Sequence, residues 1–287
     1  MLVSLTARVL KTPGMKIPGV FLCAFFSFSS AADCGYPSGA FYEVAKVSDG
    51  DTIRLADGRS VRVLGINAPE IAHGKSAAQP LGRESRAEAQ AFVRRAGGRI
   101  RLGFEREKSD RYGRLLAHVY DSSGRSMAVE LLKQGMALQV SVPPNVAQEA
   151  CLLDFERRAQ AQRLGVWRNS YWNAFPAESL KPGDEGFRYL RGRVARVDIN
   201  SSVWLELDGN LVAQIAKRDW VGFGYNEQQW LELKGKHVKL RGWVRARNMA
   251  RSGKTRNFKP LVMQLRSPSA LLVSASVDTK GENRVLE

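Results

Sequence analysis

Residues 61–70 read VRVLGINAPE, a stretch that starts as a strand and stops abruptly. Apolar and polar residues alternate at its start, as in a half-buried strand, before Ala-Pro-Glu ends it. Upstream, residues 47–55 read VSDGDTIRL, in which an Asp-Gly-Asp turn separates two further strand-like runs. We therefore expect carboxylates, an amide oxygen and an arginine to meet at the ends of neighbouring strands.

The surrounding region predicts a small barrel with helices. Strand-like runs separated by Gly- and Asp-rich turns fall at 42–48, 51–55, 60–66, 99–104 and 114–120. Helical periodicity falls at 81–96, 126–134 and 146–163. Five strands with interposed helices are typical of an OB-type barrel, so we expect one such domain at 41–170.

A second barrel is predicted further along the chain. Residues 171–187 are rich in proline and glycine and lack periodicity, which indicates a linker. Beyond it, five strand-like runs are interrupted by a helix at 226–234, and they fall at 188–199, 202–208, 210–216, 237–247 and 260–266. The predicted fold class is mainly β with α (α+β), with a second OB-like barrel at 188–266 and a flexible tail at 267–287.

The first 31 residues predict a signal peptide. A lysine at position 16 precedes the apolar run VFLCAFFSF at 20–28, and small residues follow where cleavage would occur. An apolar run of this length is too short to cross a bilayer, although a retained N-terminal anchor is the alternative. We expect an exported protein, periplasmic or secreted, with no stable membrane insertion after cleavage. Either Met1 or Met15 could be the start.

Two cysteines, Cys34 and Cys151, remain after such a cleavage. An even number of cysteines in an exported chain favours a disulfide between them, and two unpaired thiols are the alternative. The sequence holds no CxxC or HExxH motif and no Cys/His cluster with the spacing of zinc ligands, which argues against zinc chemistry.

The formal net charge is +16, which predicts anionic partners such as nucleic acid, phosphorylated molecules or lipid. Residues 188–266 hold 17 basic and 6 acidic residues, so the second barrel is the more basic one. Residues 239–259 include eight basic residues and no acid. From this run we expect Arg245 and Arg247 to bind phosphates, with Trp243 and Phe258 facing bases. The alternative is a solvated hairpin whose two aromatic side chains face the core.

Phosphodiester cleavage needs groups that neutralise charge on the phosphate and a group that activates water. A hard divalent ion and planar guanidinium groups can supply the first function, and a carboxylate can supply the second. The residues at the predicted strand ends and turns that could do this are Asp51, Arg62, Asn67, Glu70 and Arg114.

Three motifs together are more specific than any of these residues alone. DGDT at 49–52, VRVLGINAPE at 61–70 and DRYGRLLA at 110–117 resemble, in order and spacing, the staphylococcal nuclease (thermonuclease) family. The similarity covers roughly residues 42–168. It implies an OB-type barrel with helices and calcium-dependent hydrolysis of DNA and RNA.

The resemblance also implies roles for individual residues. Arg62 and Arg114 match the two arginines that bind the scissile phosphate and stabilise its transition state. Glu70 matches the glutamate that serves as general base or orders the attacking water. Asp51 and the backbone carbonyl of Ala68 match calcium ligands.

The sequence departs from the family pattern at two places. Asn67 stands where the type member has a second calcium-binding aspartate, which predicts weaker binding of calcium or a preference for another divalent ion. Ser141 and Pro143 stand where the type member has tyrosines that flank the nucleotide, whereas Arg111 and Tyr112 are retained as substrate-binding residues. Preference for base or strand end is therefore expected to differ.

Three hypotheses follow. The first is an exported, metal-dependent nuclease that cuts DNA, RNA or both, with a second barrel that raises the local substrate concentration. The second is a catalytically inactive nucleic-acid-binding protein on the same fold. The third places the basic barrel against an anionic envelope surface. Internal or terminal cleavage, protein partners and oligomeric state cannot be predicted from the sequence.

Overall fold

The computed structural model describes residues 34–35, 40–72, 74, 77–247 and 258–274. The predicted signal peptide, residues 248–257 of the basic run and residues 275–287 of the predicted tail lie outside the described residues. The predicted fold class is confirmed: an OB-type barrel with helices is followed by a second barrel-like sheet. No helix within the described ranges is long and apolar enough to cross a membrane.

The first barrel closes in the order β1-β2-β3-β6-β5. Its strands and the short β4–β7 pair are, in chain order, β1 Phe41–Asp49, β2 Thr52–Leu55, β3 Ser60–Val63, β4 Ile66–Asn67, β5 Arg99–Ser109, β6 Leu115–Tyr120 and β7 Leu138–Gln139. The predicted strand at 60–66 is shorter, because Gly65 adopts a positive φ of 83° and turns the chain before β4. This turn brings Asn67 and the residues after it back over the barrel.

Three helices cover the first barrel, and the sequence predicted each of them to within three residues. They are α1 Gly82–Arg95, α2 Met127–Lys133 and α3 Glu149–Ala161. Phe92 of α1, Leu131 of α2 and Leu152 of α3 are buried in the same apolar core as the barrel strands. The predicted disulfide is present, since Cys34 and Cys151 are bonded with their Cα atoms 5.8 Å apart.

The second barrel repeats the strand order of the first. Its elements are β8 Phe175–Pro176, β9 Gly186–Ile199, β10 Ser202–Leu207, β11 Leu211–Ala216, α4 Trp220–Phe223, α5 Glu227–Leu231, β12 His237–Ala246, β13 Leu261–Gln264 and β14 Leu271–Val273. Strands β9, β10, β11, β13 and β12 form a ring that closes where β12 pairs with β9. The parallel pair β11–β13 corresponds to the parallel pair β3–β6 of the first barrel.

The second sheet extends beyond both predicted ends. Strand β8 lies in the predicted linker and pairs with β9, and Ala177 and Leu180 after it are buried in the second core. Strand β14 lies in the predicted flexible tail and pairs with β12. Both segments are short, with Pro176 in the first and Pro268 shortly before the second, so their sequence resembles a loop while their pairing depends on distant strands.

The two barrels belong to one compact unit and share a buried junction. A small apolar cluster joins Leu138 and Val166 of the first half to Phe187 of β9. Beside it, Arg241 of β12 contacts both carboxylate oxygens of Glu156 on α3, at 2.6 and 2.8 Å. Both side chains are almost fully buried, so the ion pair fixes the second barrel against the first.

Candidate active site

The Asp-Gly-Asp turn between β1 and β2 buries Asp51, a residue that is 3% exposed. Its Oδ2 accepts a 2.7 Å hydrogen bond from the backbone N–H of Ala68, and its Oδ1 accepts one from the hydroxyl of Thr52. The backbone N–H of Asp51 donates to Oδ1 of Asp49. The turn and the segment after β4 are therefore joined directly through one carboxylate.

Arg62 of β3 completes this network. Its Nη1 lies 3.0 Å from Oδ2 of Asp51 and donates to the backbone carbonyls of Val63 and Ile66. Its Nη2 donates to Oδ1 of Asn67 at 3.1 Å. The structure thus brings together Asp51, Arg62, Asn67 and Ala68, and it holds the guanidinium in one orientation.

The Asp51 carboxyl is electrostatically unusual. Burial raises its pKa to about 7, although the neighbouring Arg62 guanidinium opposes this shift. The charges of Asp49 and Glu70 raise the pKa further, and the Ala68 amide lowers it. The charge of Arg62 therefore does not fully offset the effect of burial on the pKa of Asp51. A further cation beside the Asp51 carboxylate would favour its ionised form.

Glu70 has an exposed side chain, and its backbone is held firmly. Its N–H donates to Oε1 of Gln79 at 2.9 Å, and its carbonyl accepts from the N–H of Gln79 at 2.9 Å. Gly82, the first residue of α1, packs directly on the same peptide, where an added Cβ would lie 2.3 Å from the Glu70 carbonyl oxygen. Glu70 is thereby presented from a backbone fixed by the start of α1.

Helix α1 also supports the Asp-Gly-Asp turn. A Cβ added to Gly50 would lie 2.0 Å from Oγ of Ser85 and 2.6 Å from Cβ of Ala68. Ser85 is fully buried, so only a glycine fits between α1 and the turn. Sequence reasoning missed the supporting roles of Gln79, Gly82 and Ser85; the one available signal was a glycine at the start of a predicted helix.

Arg114 lies at the end of a second turn, residues 110–114, which leads into β6. Its Nε is 2.7 Å from Oδ2 of Asp110, and its backbone N–H donates to the other carboxylate oxygen. Burial opposes ionisation of Asp110, but the hydrogen bonds from Arg114 and the Tyr112 amide outweigh it and lower the pKa of Asp110. The guanidinium groups of Arg111 and Arg114 lie 4.7 and 5.7 Å from the Tyr112 ring centroid.

The register of β3 and β6 relates the two arginines. Arg62 pairs with Leu116 in the parallel ladder. Because side chains alternate along a strand, Arg114, two residues before Leu116, is placed on the same face of the barrel wall as Arg62. Among the described residues, no hydrogen bond or ion pair joins Arg114 to the network of Asp51 and Arg62.

Residues of this network carry oxygen atoms of the kinds that bind a hard divalent cation. Asp51 offers a carboxylate, Asn67 an amide oxygen and Ala68 a backbone carbonyl, and all three residues are buried. Oxygen donors of these types are the ligands that calcium and magnesium prefer. Within the described ranges, no group of three or more His, Cys, Asp or Glu side chains could hold a metal ion, so a site here depends on the amide and backbone oxygens.

The predicted residues of the second barrel lie apart from this network. Arg245 is exposed on β12, and Arg247 lies between the rings of Trp204 and Phe258, 4.9 and 4.4 Å from their centroids. Trp243 is 37% exposed and meets Phe187 edge to face. The alternative in which Trp243 is buried in the core is therefore wrong.

Ser141 and Pro143, the two departures in the segment after β7, have structural contacts. The Ser141 hydroxyl accepts a hydrogen bond from the Gln139 side-chain amide, and the Pro143 carbonyl accepts one from Arg266. Gln139 itself contacts Glu156 through its backbone N–H. This segment therefore lies against the second barrel.

The OB-type barrel carries a buried carboxylate–arginine network at its strand ends, with an exposed glutamate beside it. These are the groups expected of an enzyme that hydrolyses phosphodiester bonds. The model of the staphylococcal nuclease homologue family matches residues 60–169 of this chain. This chain belongs to the family of staphylococcal nuclease homologues.

Three curated relatives support this assignment. The thermonuclease of Staphylococcus intermedius is 34% identical over 134 residues, which cover 45% of this chain and 77% of the relative. The thermonuclease of Staphylococcus hyicus is 33% identical over 134 residues, covering 45% of this chain and 76% of the relative. Endonuclease YncB of Bacillus subtilis is 35% identical over 128 residues, covering 42% of this chain and 59% of the relative. The family match ends at residue 169, before the second barrel.

Proposed function

We propose that this chain is a metal-dependent nuclease, a hydrolase that cleaves phosphodiester bonds of DNA, RNA or both. The observation that carries the proposal is the network of Asp51, Arg62, Asn67 and Ala68 beside Glu70. The names of the relatives, thermonuclease and endonuclease, support the same reaction class.

In this proposal the two arginines act on the phosphate. The Arg62 guanidinium is held by four oxygen atoms, and Arg114 is held by Asp110, so neither needs to reorder when substrate binds. Their planar donors match the geometry of phosphate oxygens. Each would stabilise the negative charge that develops on the equatorial oxygens during attack.

Glu70 acts on the water molecule. As the water oxygen bonds to phosphorus, one of its protons passes to the Glu70 carboxylate, the bond from phosphorus to the leaving sugar oxygen breaks, and that oxygen takes a proton from solvent to leave as an alcohol. Glu70 suits this role because its carboxylate is exposed while its backbone is fixed by Gln79 and Gly82. A base on a rigid support keeps its distance from the reacting atom.

Asp51, Asn67 and the carbonyl of Ala68 would hold the ion, which we propose to be calcium, with another divalent ion as the alternative. A bound divalent ion neutralises charge on the phosphate. It would also favour the ionised form of Asp51, whose pKa burial raises to about 7. Because Asn67 is uncharged, we expect weaker calcium binding than two aspartates would give.

We also propose that the protein is exported, either to the periplasm or out of the cell. Its disulfide between Cys34 and Cys151 supports this, because disulfides persist in oxidising compartments. The second barrel is proposed to bind nucleic acid through its excess of basic residues.

The test is a cleavage assay on single-stranded and duplex DNA and on RNA with calcium, magnesium, manganese or EDTA. We expect metal-dependent cleavage, and we expect Glu70→Gln to reduce the rate by about a hundredfold or more with binding of substrate little changed. Binding without cleavage under every metal would overturn the nuclease proposal in favour of a nucleic-acid-binding protein. Equal losses of binding and cleavage in the variant would remove Glu70 from the role of base.

A further inference from the structure

A cleft of about 340 Å³ opens where the two barrels meet. One wall is the segment 140–142 after β7 together with Arg111 of the first barrel. The other is the outer face of β12 and β13, which contributes Trp243, Arg245, Val262 and Gln264. The register of these strands pairs Arg245 with Val262, so the four side chains lie on one continuous face.

The cleft is strongly cationic. Four of its lining residues are arginines and none is acidic, the arginines being Arg111, Arg241, Arg245 and Arg266. Two of these already have protein partners, since Arg241 contacts Glu156 and Arg266 donates to the Pro143 carbonyl. Arg245 is exposed, and the described residues provide it with no hydrogen-bond or ion-pair partner. Its charge is therefore available to a ligand.

Arg111 connects the cleft to the turn that carries Arg114. Arg111 lines the cleft and donates a 2.5 Å hydrogen bond to the hydroxyl of Tyr112. Tyr112 is 69% exposed, and the guanidinium group of Arg111 stacks over its ring. The guanidinium group of Arg114 lies over the same ring at a longer distance. Cationic and aromatic groups thus follow one another from Arg114 to Trp243. This is the pattern expected along the path of a nucleic-acid strand.

We propose that this inter-barrel cleft is a second nucleotide-binding site, which holds a single-stranded segment of the substrate at a distance from the scissile phosphate. Arg245 and Arg111 bind backbone phosphates, and Trp243 stacks on a base. The inference rests on the proposed function, because it takes Arg114 to mark the position of the scissile phosphate.

The chemistry of the cleft favours a single strand over a duplex. An aromatic side chain can stack only on a base that has left a helical stack, which single strands permit and duplexes do not. The valines at 140, 142 and 262 add apolar walls that suit a base and not a phosphate. A cleft of this volume also has the size of a site for one small molecule, such as a nucleotide unit.

The test measures binding to the purified, metal-free protein in EDTA, so that cleavage does not interfere. Fluorescence anisotropy compares a labelled trinucleotide, a single strand of roughly twelve nucleotides and a duplex of the same length. Two variants alter the cleft, Arg245→Glu and Trp243→Leu. Lys239→Glu is the matched control, because it makes the same charge change on the exposed face of the same strand outside the cleft. Circular dichroism melts show whether each variant folds.

We expect the protein to bind the longer single strand at least about tenfold more tightly than the trinucleotide. Arg245→Glu and Trp243→Leu should each remove most of this gain and leave trinucleotide binding unchanged, whereas Lys239→Glu should keep it. Trp243→Leu should not affect duplex binding. Absence of a length effect, equal losses in Arg245→Glu and Lys239→Glu, or an equal effect of Trp243→Leu on the duplex would overturn the proposal.

Cleavage assays on the same variants separate this inference from the proposed function. Metal-dependent cleavage without any length effect on binding would overturn the cleft and leave the nuclease intact. The expected binding pattern without cleavage under any metal would support the cleft and overturn the nuclease.

Discussion

At the scale of single residues, Gln79 shows how the site depends on groups that do no chemistry. It holds the Glu70 peptide from both sides. Gln79→Ala removes the side-chain half of this support, so we expect kcat to fall about tenfold with KM little changed. Gln162→Ala, an exposed glutamine at the end of α3, is the control in steady-state cleavage assays. A rise in KM without a fall in kcat would show that Gln79 does not position the base.

Asn67 is the residue at which the metal proposal can be tested directly. Asn67→Asp adds a second carboxylate beside Asp51, so we expect calcium to bind about tenfold more tightly. Isothermal titration of the protein with calcium measures this without any cleavage. Asn173→Asp makes the same charge change at an exposed position and should leave calcium binding unchanged. Equal behaviour of the two variants would place the ion elsewhere.

Residues of this kind mark the limit of what the sequence could predict. Asp51, Arg62 and Asn67 were predicted to meet, because each lies in a local motif at a strand end, and they do meet. Arg114 was predicted from the same reasoning but pairs with Asp110 instead, and Ala68 was expected only from the family resemblance. Gln79 could not be predicted, because its role depends on hydrogen bonds to Glu70, nine residues earlier, which no local sequence pattern indicates. Likewise, the sequence offered Asn67 as a metal ligand but not as a hydrogen-bond partner of Arg62.

At the scale of secondary-structure elements, the approach of α1 to Glu70 depends on Gly82. Gly82→Ala would place a Cβ 2.3 Å from the Glu70 carbonyl oxygen, so either the helix or the loop must shift. We expect a loss of about 1–3 kcal/mol in the free energy of unfolding together with reduced cleavage. Urea denaturation and activity measure the two effects. Gly222→Ala, where no atom lies within 4 Å of the added Cβ, should lower neither.

The neighbouring strands β5 and β6 bury a histidine whose protonation should affect stability. Burial lowers the pKa of His118 below its ordinary value of 6.5, although Nε2 lies 2.7 Å from the Glu105 carboxylate, which opposes the shift. The unfolded chain therefore binds the proton more readily than the folded chain. The contribution of neutral His118 to the free energy of unfolding is therefore fully present above about pH 6.5. It is lost as the pH falls towards the lower pKa of the folded state.

Chemical denaturation between about pH 5 and pH 8 measures this dependence. We expect the free energy of unfolding to fall with decreasing pH more steeply for the native sequence than for His118→Gln. Parallel curves for the two proteins would assign the acid sensitivity to other groups.

Elements also differed in how well they could be predicted. Helix α1 and strands β1, β2, β5 and β6 follow from periodicity and turn residues within a short window. Strands β8 and β14 did not, because each has only two or three residues and exists through pairing with β9 or β12. Short edge strands carry too little local pattern for sequence reasoning to separate them from loops.

At the scale of the whole molecule, the Arg241–Glu156 pair should govern how firmly the barrels are joined. Arg241→Met leaves Glu156 buried without its counter-charge, so we expect a loss of about 3–5 kcal/mol in the free energy of unfolding. The double variant Arg241→Met with Glu156→Gln removes the charge but keeps an acceptor for the Gln139 amide, and it should recover at least about 1 kcal/mol. Denaturation of both variants measures the difference. A double variant less stable than the single one would contradict this account.

The sequence predicted two barrels but not this junction. Their number and order follow from repeated runs of strands, whereas Arg241 and Glu156 are 85 residues apart and neither belongs to a recognisable motif. The resemblance to the nuclease family could not help, since the family match ends before the second barrel.

This junction has a consequence for the products of cleavage. If a flexible linker joined the two barrels, they would bind a strand at varying separations. Cleavage would then occur at varying distances from the bound segment. Here the Arg241–Glu156 ion pair and the small apolar cluster join the two barrels, so we expect the distance between the cleft and Arg114 to stay constant. A strand that occupies both places would be cut at a set number of nucleotides from the bound segment, so the fragments released would have a narrow range of lengths.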